Sequence, residues 1–263
     1  MTAAVDLNAC CAVSYGHPLV RWLLGDSLHP GGLALTSGLA HLMGIEPSSS
    51  VLDAGSGVGA STVHLAQTLG CRVTGVTLEA EGVTAGYELA RRHGVEDRVR
   101  FVRGDVRDVE LPDASFDYIL MECVLSILAG KAATLRRLYG LLRPGGRLGL
   151  SDVTVSGPLP PPLLGVLATV GCVGGALSLA EYRIVLGDAG FAVEHSEDCE
   201  AVASSFMRDI GGKLLMAEVA CKLGKLHIVE GVLAEGERLL ASVNEQVRSG
   251  VLGYGMVVAR KSS

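Results

Sequence analysis

Two groups of residues in this chain can do chemistry. The first is Asp53-Ala-Gly55-Ser-Gly57-Val-Gly59, an acid followed by three glycines at alternate positions. Glycines in such a turn let the backbone approach a ligand closely. Asp53 stands two residues before the first glycine, where a carboxylate would repel a pyrophosphate but suit an ammonium. A second acid, Asp105, ends a later strand-like run, where it could reach an adenine amine. The second group is the cysteines, seven in number and scattered, with no CxxC pair. That spacing argues against a zinc site. Soft thiolates still suit a soft acceptor.

The elements around the glycines explain how they are placed. Val51-Leu52-Asp53-Ala54 reads as a short buried strand and Ala60–Leu69 as a helix with one apolar face. The alternation continues with strands at Cys71–Thr77, Val99–Asp105, Phe116–Glu122 and Gly146–Asp152, and helices at Glu81–His93 and Lys131–Leu142. This rhythm predicts βαβ units and a parallel sheet with helices on both faces. In such a sheet, ligands bind beyond the carboxyl ends of the strands. After Asp152 the pattern loosens into a Pro-rich loop, a helix over Ser178–Ala189 and a sixth strand from Phe191. Helices over 201–226 and 229–248 follow, and Gly253–Lys261 closes as an edge strand. The reading is a seven-stranded, mostly parallel sheet. Residues 1–50 form a helical cap, 51–263 the main domain, and 157–178 an insertion covering the pocket.

Composition excludes several classes. Lys and Arg number 22 against 28 Asp and Glu, a net charge of −6, which argues against a general nucleic-acid binder. Hydrophobic residues at 49% and charged residues at 19% exclude disorder. The N-terminus lacks the cationic and apolar regions of a signal peptide, so reduced thiols in the cytoplasm are expected. Leu159–Leu179 is long and apolar, but the run Pro160-Pro-Pro162 breaks it. It reads as a greasy lid, not a membrane span. Monomer and homodimer stay open.

The series Val51–Gly59, Gly104-Asp105, Pro112-Asp-Ala-Ser-Phe-Asp117 and Leu142-Arg-Pro-Gly-Gly146 resembles the class I S-adenosylmethionine-dependent methyltransferases of the UbiE-like, type-11 group. The likeness covers about residues 45–155. It implies the Rossmann-like class I fold and S-adenosylmethionine as cofactor. By the same resemblance Asp53, Gly55, Gly57 and Gly59 would hold the methionine end, Asp105 and Val106 would flank the adenine, and Glu122 would line the cofactor site. One departure stands out. These enzymes usually carry an acid at the end of the second strand for the ribose hydroxyls, whereas this chain reads Thr77-Leu78-Glu79. An NAD-dependent dehydrogenase is the rival reading of the fold, disfavoured because no GxGxxG follows the first strand.

For the acceptor, Asp6-Leu-Asn-Ala-Cys10-Cys11, Glu122-Cys123-Val and Gly171-Cys172-Val-Gly-Gly-Ala-Leu177 resemble segments of arsenite methyltransferases. The resemblance implies trivalent arsenic held by Cys10 or Cys11 together with Cys172. Cys221 is a doubtful further match because it sits in a helical stretch, and Cys123 reads as a small pocket wall. His29, before Pro-Gly-Gly, could touch the cofactor carboxylate or act as a base; Tyr15 lies in the same covering segment. The expected acceptor is a small soft molecule, arsenite first, then a small thiol or sulfide, then a quinone or other apolar carbon acceptor. A non-catalytic module that binds the cofactor or a metalloid is the reading from another class.

Overall fold

The computed structural model describes residues 29–161, 163, 172–223 and 232–262. Helix α1 (Gly32–Met43) leads into β1 (Ser50–Ala54), α2 (Ala60–Leu69), β2 (Arg72–Thr77), α3 (Ala80–His93) and β3 (Val99–Arg103). The second half runs β4 (Phe116–Glu122), α4 (Lys131–Leu141), β5 (Leu142–Val155), α5 (Leu179–Asp188) and β6 (Phe191–Asp198). It ends with α6 (Glu200–Lys222), α7 (Val232–Arg248) and β7 (Leu252–Lys261).

The seven strands form one sheet in the order β3-β2-β1-β4-β5-β7-β6. The pairs β1–β2, β1–β4, β2–β3 and β4–β5 are parallel. Strand order reverses between β1 and β4, so a crevice opens there beyond the strand ends. Four of the five residues of β1 are buried, as a central parallel strand covered on both faces requires.

Side chains alternate between two cores. Val51, Val73, Leu120 and Val258 face one core with Leu39 and Met43 of α1, Leu65 of α2 and Val243 of α7. Leu52, Ile119, Leu148 and Val257 face the other, closed by Leu135 and Leu138 of α4 and Tyr182 of α5. Helix α5 starts with a reciprocal capping box between Ser178 and Glu181.

One expectation is corrected. The closing strand is not at an edge: β7 lies between β5 and β6 and is antiparallel to both. Its burial explains the position, since Tyr254 to Ala259 are all buried, which an edge strand with one open side does not achieve. The α6–α7 hairpin lies between β6 and β7 in the chain and returns it for insertion. Element ends also shift: β5 starts at Leu142 and runs through the Arg-Pro-Gly-Gly segment, and β2 starts at Arg72. Among the described residues no helix is long and apolar enough to cross a membrane.

Candidate functional site

The loop from β1 to α2 is shaped by its own backbone. The amides of Gly55 and Ser56 donate to the Val76 carbonyl at 3.0 and 2.8 Å, and Gly59 N–H donates to the Ser56 carbonyl at 2.7 Å. Gly55, Gly57 and Gly59 all have positive φ (99°, 52° and 86°). A Cβ at Gly55 would overlap the Val124 side chain, and one at Gly59 would lie 2.7 Å from the Phe101 ring. Only glycine satisfies both the conformation and the space. Within the loop, the Ser56 hydroxyl is buried with no hydrogen-bond partner among the described residues.

Two carboxylates stand at neighbouring strand ends. Asp53 is buried and accepts a 2.6 Å bond from the Thr62 hydroxyl of α2. Burial pushes its pKa up to about 7; the Thr62 bond opposes this and nearby Glu122 adds to it. Glu122, the last residue of β4, accepts from the Thr36 hydroxyl at 3.0 and 3.1 Å and from Ser61 at 2.7 Å. His29 Nε2 lies 3.5 Å from both Glu122 Oε2 and Ser61 Oγ, while Nδ1 is 3.2 Å from the Pro30 carbonyl. Both ring nitrogens therefore face protein atoms, and the ring ties the approach to α1 onto the end of β4. Thr36 and Ser61 carry no sequence signal, because a hydroxyl inside a helix commonly bonds back to the carbonyl one turn earlier, as Ser37 and Thr68 do.

Thr77 ends β2 buried, with its side chain against Gly82, where a Cβ would lie 2.7 Å from its hydroxyl. The Thr77 carbonyl accepts from Gly104 at 2.9 Å and the Leu78 carbonyl from Arg103 at 3.2 Å. Glu79 is exposed at the start of α3. Asp105 is clasped by Arg107, whose backbone amide, Nε and Nη2 donate at 2.9, 2.9 and 2.6 Å. Burial raises the Asp105 carboxyl, but the bonds from Arg107 outweigh it and hold the pKa below the ordinary value. Val106 is buried beside it.

A second cluster lies past the end of β4, beside the later part of β5 and the start of β7. Cys123 follows Glu122 directly, and its amide donates to the Ser151 carbonyl at 2.8 Å. Its sulfur is 3.4 Å from the Tyr254 hydroxyl, which also lies 3.1 Å from Ser151 Oγ. Cys172 is buried, with its thiol 3.7 Å from the Cys123 carbonyl and in a hydrogen bond with the Cys123 thiol. That thiol contact, then burial, raises the Cys123 pKa well above the ordinary thiol value. Asp152 is buried alongside, accepting from the amides of Ser126 and Val153 at 2.8 Å each. Burial, then Cys172, pushes its pKa up to about 7. Cys10, Cys11 and Tyr15 lie outside the described residues. Cys71, Cys199 and Cys221 stand apart in structural settings: under α2, at the start of α6 and near its end. Among the described residues no three His, Cys, Asp or Glu side chains are grouped to hold a metal ion.

Residues 51–146 match a family described as a methyltransferase domain. The chain belongs to the S-adenosylmethionine-dependent methyltransferases. The arsenite methyltransferase of Halobacterium salinarum is 30% identical over 67% of this chain and 47% of that enzyme. The chain thus spans about half the length of that relative. The 27-O-demethylrifamycin SV methyltransferase of Amycolatopsis mediterranei is 29% identical over 92% of this chain and 93% of that enzyme. In fold, the chain is similar to phosphoethanolamine N-methyltransferase 2 of Haemonchus contortus, solved with S-adenosyl-L-methionine. That likeness has a TM-score of 0.81 at 18% identity and covers 99% of this chain and 61% of the other.

The methyltransferase's own residues fit the family's cofactor. Gly55 and Gly59 pack tightly against Val124 and Phe101, which fixes the path of the loop, and the buried Ser56 hydroxyl has no partner among the described residues. The burial that raises Asp53 is relieved by a cation, which the ammonium and sulfonium of S-adenosylmethionine provide. Bound there, the cofactor supplies an electrophilic methyl group on sulfur.

Proposed function

We propose that this methyltransferase transfers the methyl group of S-adenosylmethionine to a small soft nucleophile, with trivalent arsenic as the first candidate. Asp53 and the loop Gly55, Gly57 and Gly59 hold the methionine end of the cofactor. Asp105 and Val106 lie on the adenine side, and Thr77 and Leu78 on the ribose side. Glu122 fixes the wall between α1, α2 and β4 through Thr36, Ser61 and His29. The observation that carries the choice of acceptor is the buried thiol Cys172 beside Cys123, past the end of β4, the parallel neighbour of the strand that leads into the cofactor loop.

The chemistry is an in-line displacement, driven by proximity and orientation. The arsenic lone pair forms the new As–C bond while the C–S bond breaks and its electron pair returns to sulfur. The products are a four-coordinate arsonium and neutral S-adenosylhomocysteine. No proton leaves the acceptor, so no general base is needed. That suits a site in which both nitrogens of His29 already face protein atoms. The arsenite methyltransferase relative agrees in kind over two thirds of this chain.

A second reading is an apolar organic acceptor. It is favoured by the rifamycin enzyme, which matches over 92% of this chain. Both readings are tested by S-adenosylhomocysteine formation in the reduced full chain. Arsenite, methanethiol, sulfide and a short-chain quinol are supplied in parallel, with products identified by mass. Methylated arsenic is expected. A methylated quinol with no arsenic product moves the assignment to the second reading, and methylated sulfur alone moves it to a small thiol. Any turnover eliminates a purely regulatory module.

A further inference from the structure

Helix α6 carries an apolar stripe. Leu215, Met216 and Val219 are 60%, 66% and 48% exposed, and Leu223 at the C-cap is 65% exposed. At about 3.6 residues per turn the four fall within an arc of about 100°. The other side of the helix is taken. Leu214 lies against Gly236 of α7 and Leu240 of α7 lies against Gly211, while Ala203 and Ala217 are buried. The stripe therefore points away from α7 and from the sheet. Eight large apolar residues are exposed among those described, and half of them lie on this one arc. Single exposed apolar residues are ordinary, but a contiguous patch marks an interaction surface.

The charges along one edge of the stripe select its occupant. Lys222 Nζ lies 2.7 Å from Glu218 Oε1, one helical turn apart. Such a pair is self-complementary under a two-fold axis. A second α6 running antiparallel presents its own Lys222 to Glu218 and its own Glu218 to Lys222. A parallel copy would instead set Glu218 against Glu218. The helix dipoles favour the antiparallel arrangement as well. A two-fold axis at Val219 sets Leu215 of each copy opposite Leu223 of the other, so the apolar stripe covers itself. A bilayer fits less well. Interfacial helices are rich in Lys and Arg on the polar face, whereas in α6 Glu200, Asp209 and Glu218 balance Arg208, Lys213 and Lys222.

We propose that the α6 stripe is the interface of a homodimer, formed by two copies of this chain with their α6 helices antiparallel. The contact is isologous, each copy giving the same residues to the other. One helix face lies at the low end of specific interfaces, below about 1,200 Å² in total. The dimer is therefore reversible, with a Kd on the order of 10 µM.

The test is sedimentation equilibrium of the reduced full chain over a range of concentrations. Wild type is expected to shift from monomer to dimer. Val219→Asp should weaken the dimer by about 30-fold or more. Ile184→Asp, at an equally exposed position on α5, should leave it unchanged. Glu218→Lys and Lys222→Glu should each weaken self-association by about tenfold. An equal mixture of these two variants should recover the dimer, because each supplies the charge that the other needs. S-adenosylhomocysteine binding reports whether each variant is folded. A wild type that stays monomeric, a dimer indifferent to Val219→Asp, or a mixture that fails to recover association overturns the proposal. A monomer that sediments with phosphatidylcholine vesicles overturns it in favour of a bilayer.

Discussion

The two ends of the crevice are built in opposite ways. At the cofactor end the glycine loop is consecutive chain, and the partners of its two aspartates are close in sequence, Thr62 serving Asp53 from nine residues away and Arg107 serving Asp105 from two, with only Glu122 held from afar by Thr36 and Ser61. Its shape is backbone, bare of side chains at Gly55 and Gly59. The thiol end is made from side chains that only the finished fold brings together. Tyr254 reaches Cys123 across 131 residues and Ser151 across 103. The difference separates two tasks. On the proposed function, the cofactor would be held by a locally encoded loop and the acceptor chosen where the sheet's topology converges.

The sharpest way to break this contrast is Gly55→Ala. The new Cβ overlaps Val124 at a backbone φ of 99°. Cofactor binding should fall by about 100-fold and stability by about 1–3 kcal/mol, read by calorimetry and urea melts. Cofactor binding within twofold of wild type would show that the backbone does not shape this end.

Next in size is Asp53→Asn, with a loss in cofactor affinity of about 10- to 100-fold, as for a charge-assisted contact. Its pH dependence has a definite sign. With a ligand-free pKa of about 7, wild type must release a proton to meet a cation. Affinity should therefore rise about tenfold per pH unit below 7 and level off above. The variant should show a flat profile.

The same raised pKa acts on folding. Asp53 and Asp152 are raised from 3.8 to about 7, so the folded chain holds protons that the unfolded chain has released between those values. Their contribution is fully present below pH 3.8 and is lost as the pH climbs to 7. Ligand-free protein should therefore melt at lower urea at pH 7.5 than at pH 5, and Asp152→Asn should reduce the gap. An unchanged gap would mean that Asp152 titrates normally.

Tyr254→Phe sharpens the contrast from the other side. It removes the hydroxyl between Cys123 and Ser151. Acceptor KM should rise several-fold, by about one hydrogen bond, with the cofactor Kd unchanged. Smallest is Glu194→Gln, in the surface network with Arg147 and Arg260 at 2.7 Å each. Exposed pairs contribute below about 1 kcal/mol, so neither end should respond.

The same contrast governs what could be read from the sequence. The β1–loop–α2 unit was legible because apolar run, glycines and helical period sit side by side. Asp53, Gly55 and Glu122 fell where strand ends meet a crevice. The partners of Glu122 did not: Thr36 and Ser61 are ordinary hydroxyls within helices, and nothing local marks them. The position of β7 was hidden for a related reason. Its strand character is local, but its insertion between β5 and β6 depends on the route taken by α6 and α7. The contact between Cys123 and Cys172 follows from the path of the whole segment between them; the expected grouping of Cys172 with Cys10 or Cys11 is not tested by the described residues. Those two cysteines and Tyr15 lie outside the described residues.

On the proposed function, one crevice holds the cofactor at its glycine end and the acceptor at its thiols. The most direct measurement is arsenic methylation by Cys172→Ser, with S-adenosylmethionine affinity measured on the same sample. An unchanged cofactor Kd is expected, with arsenic methylation reduced by about 100-fold or more. Methylation at the wild-type rate, with the cofactor bound equally well, would contradict it.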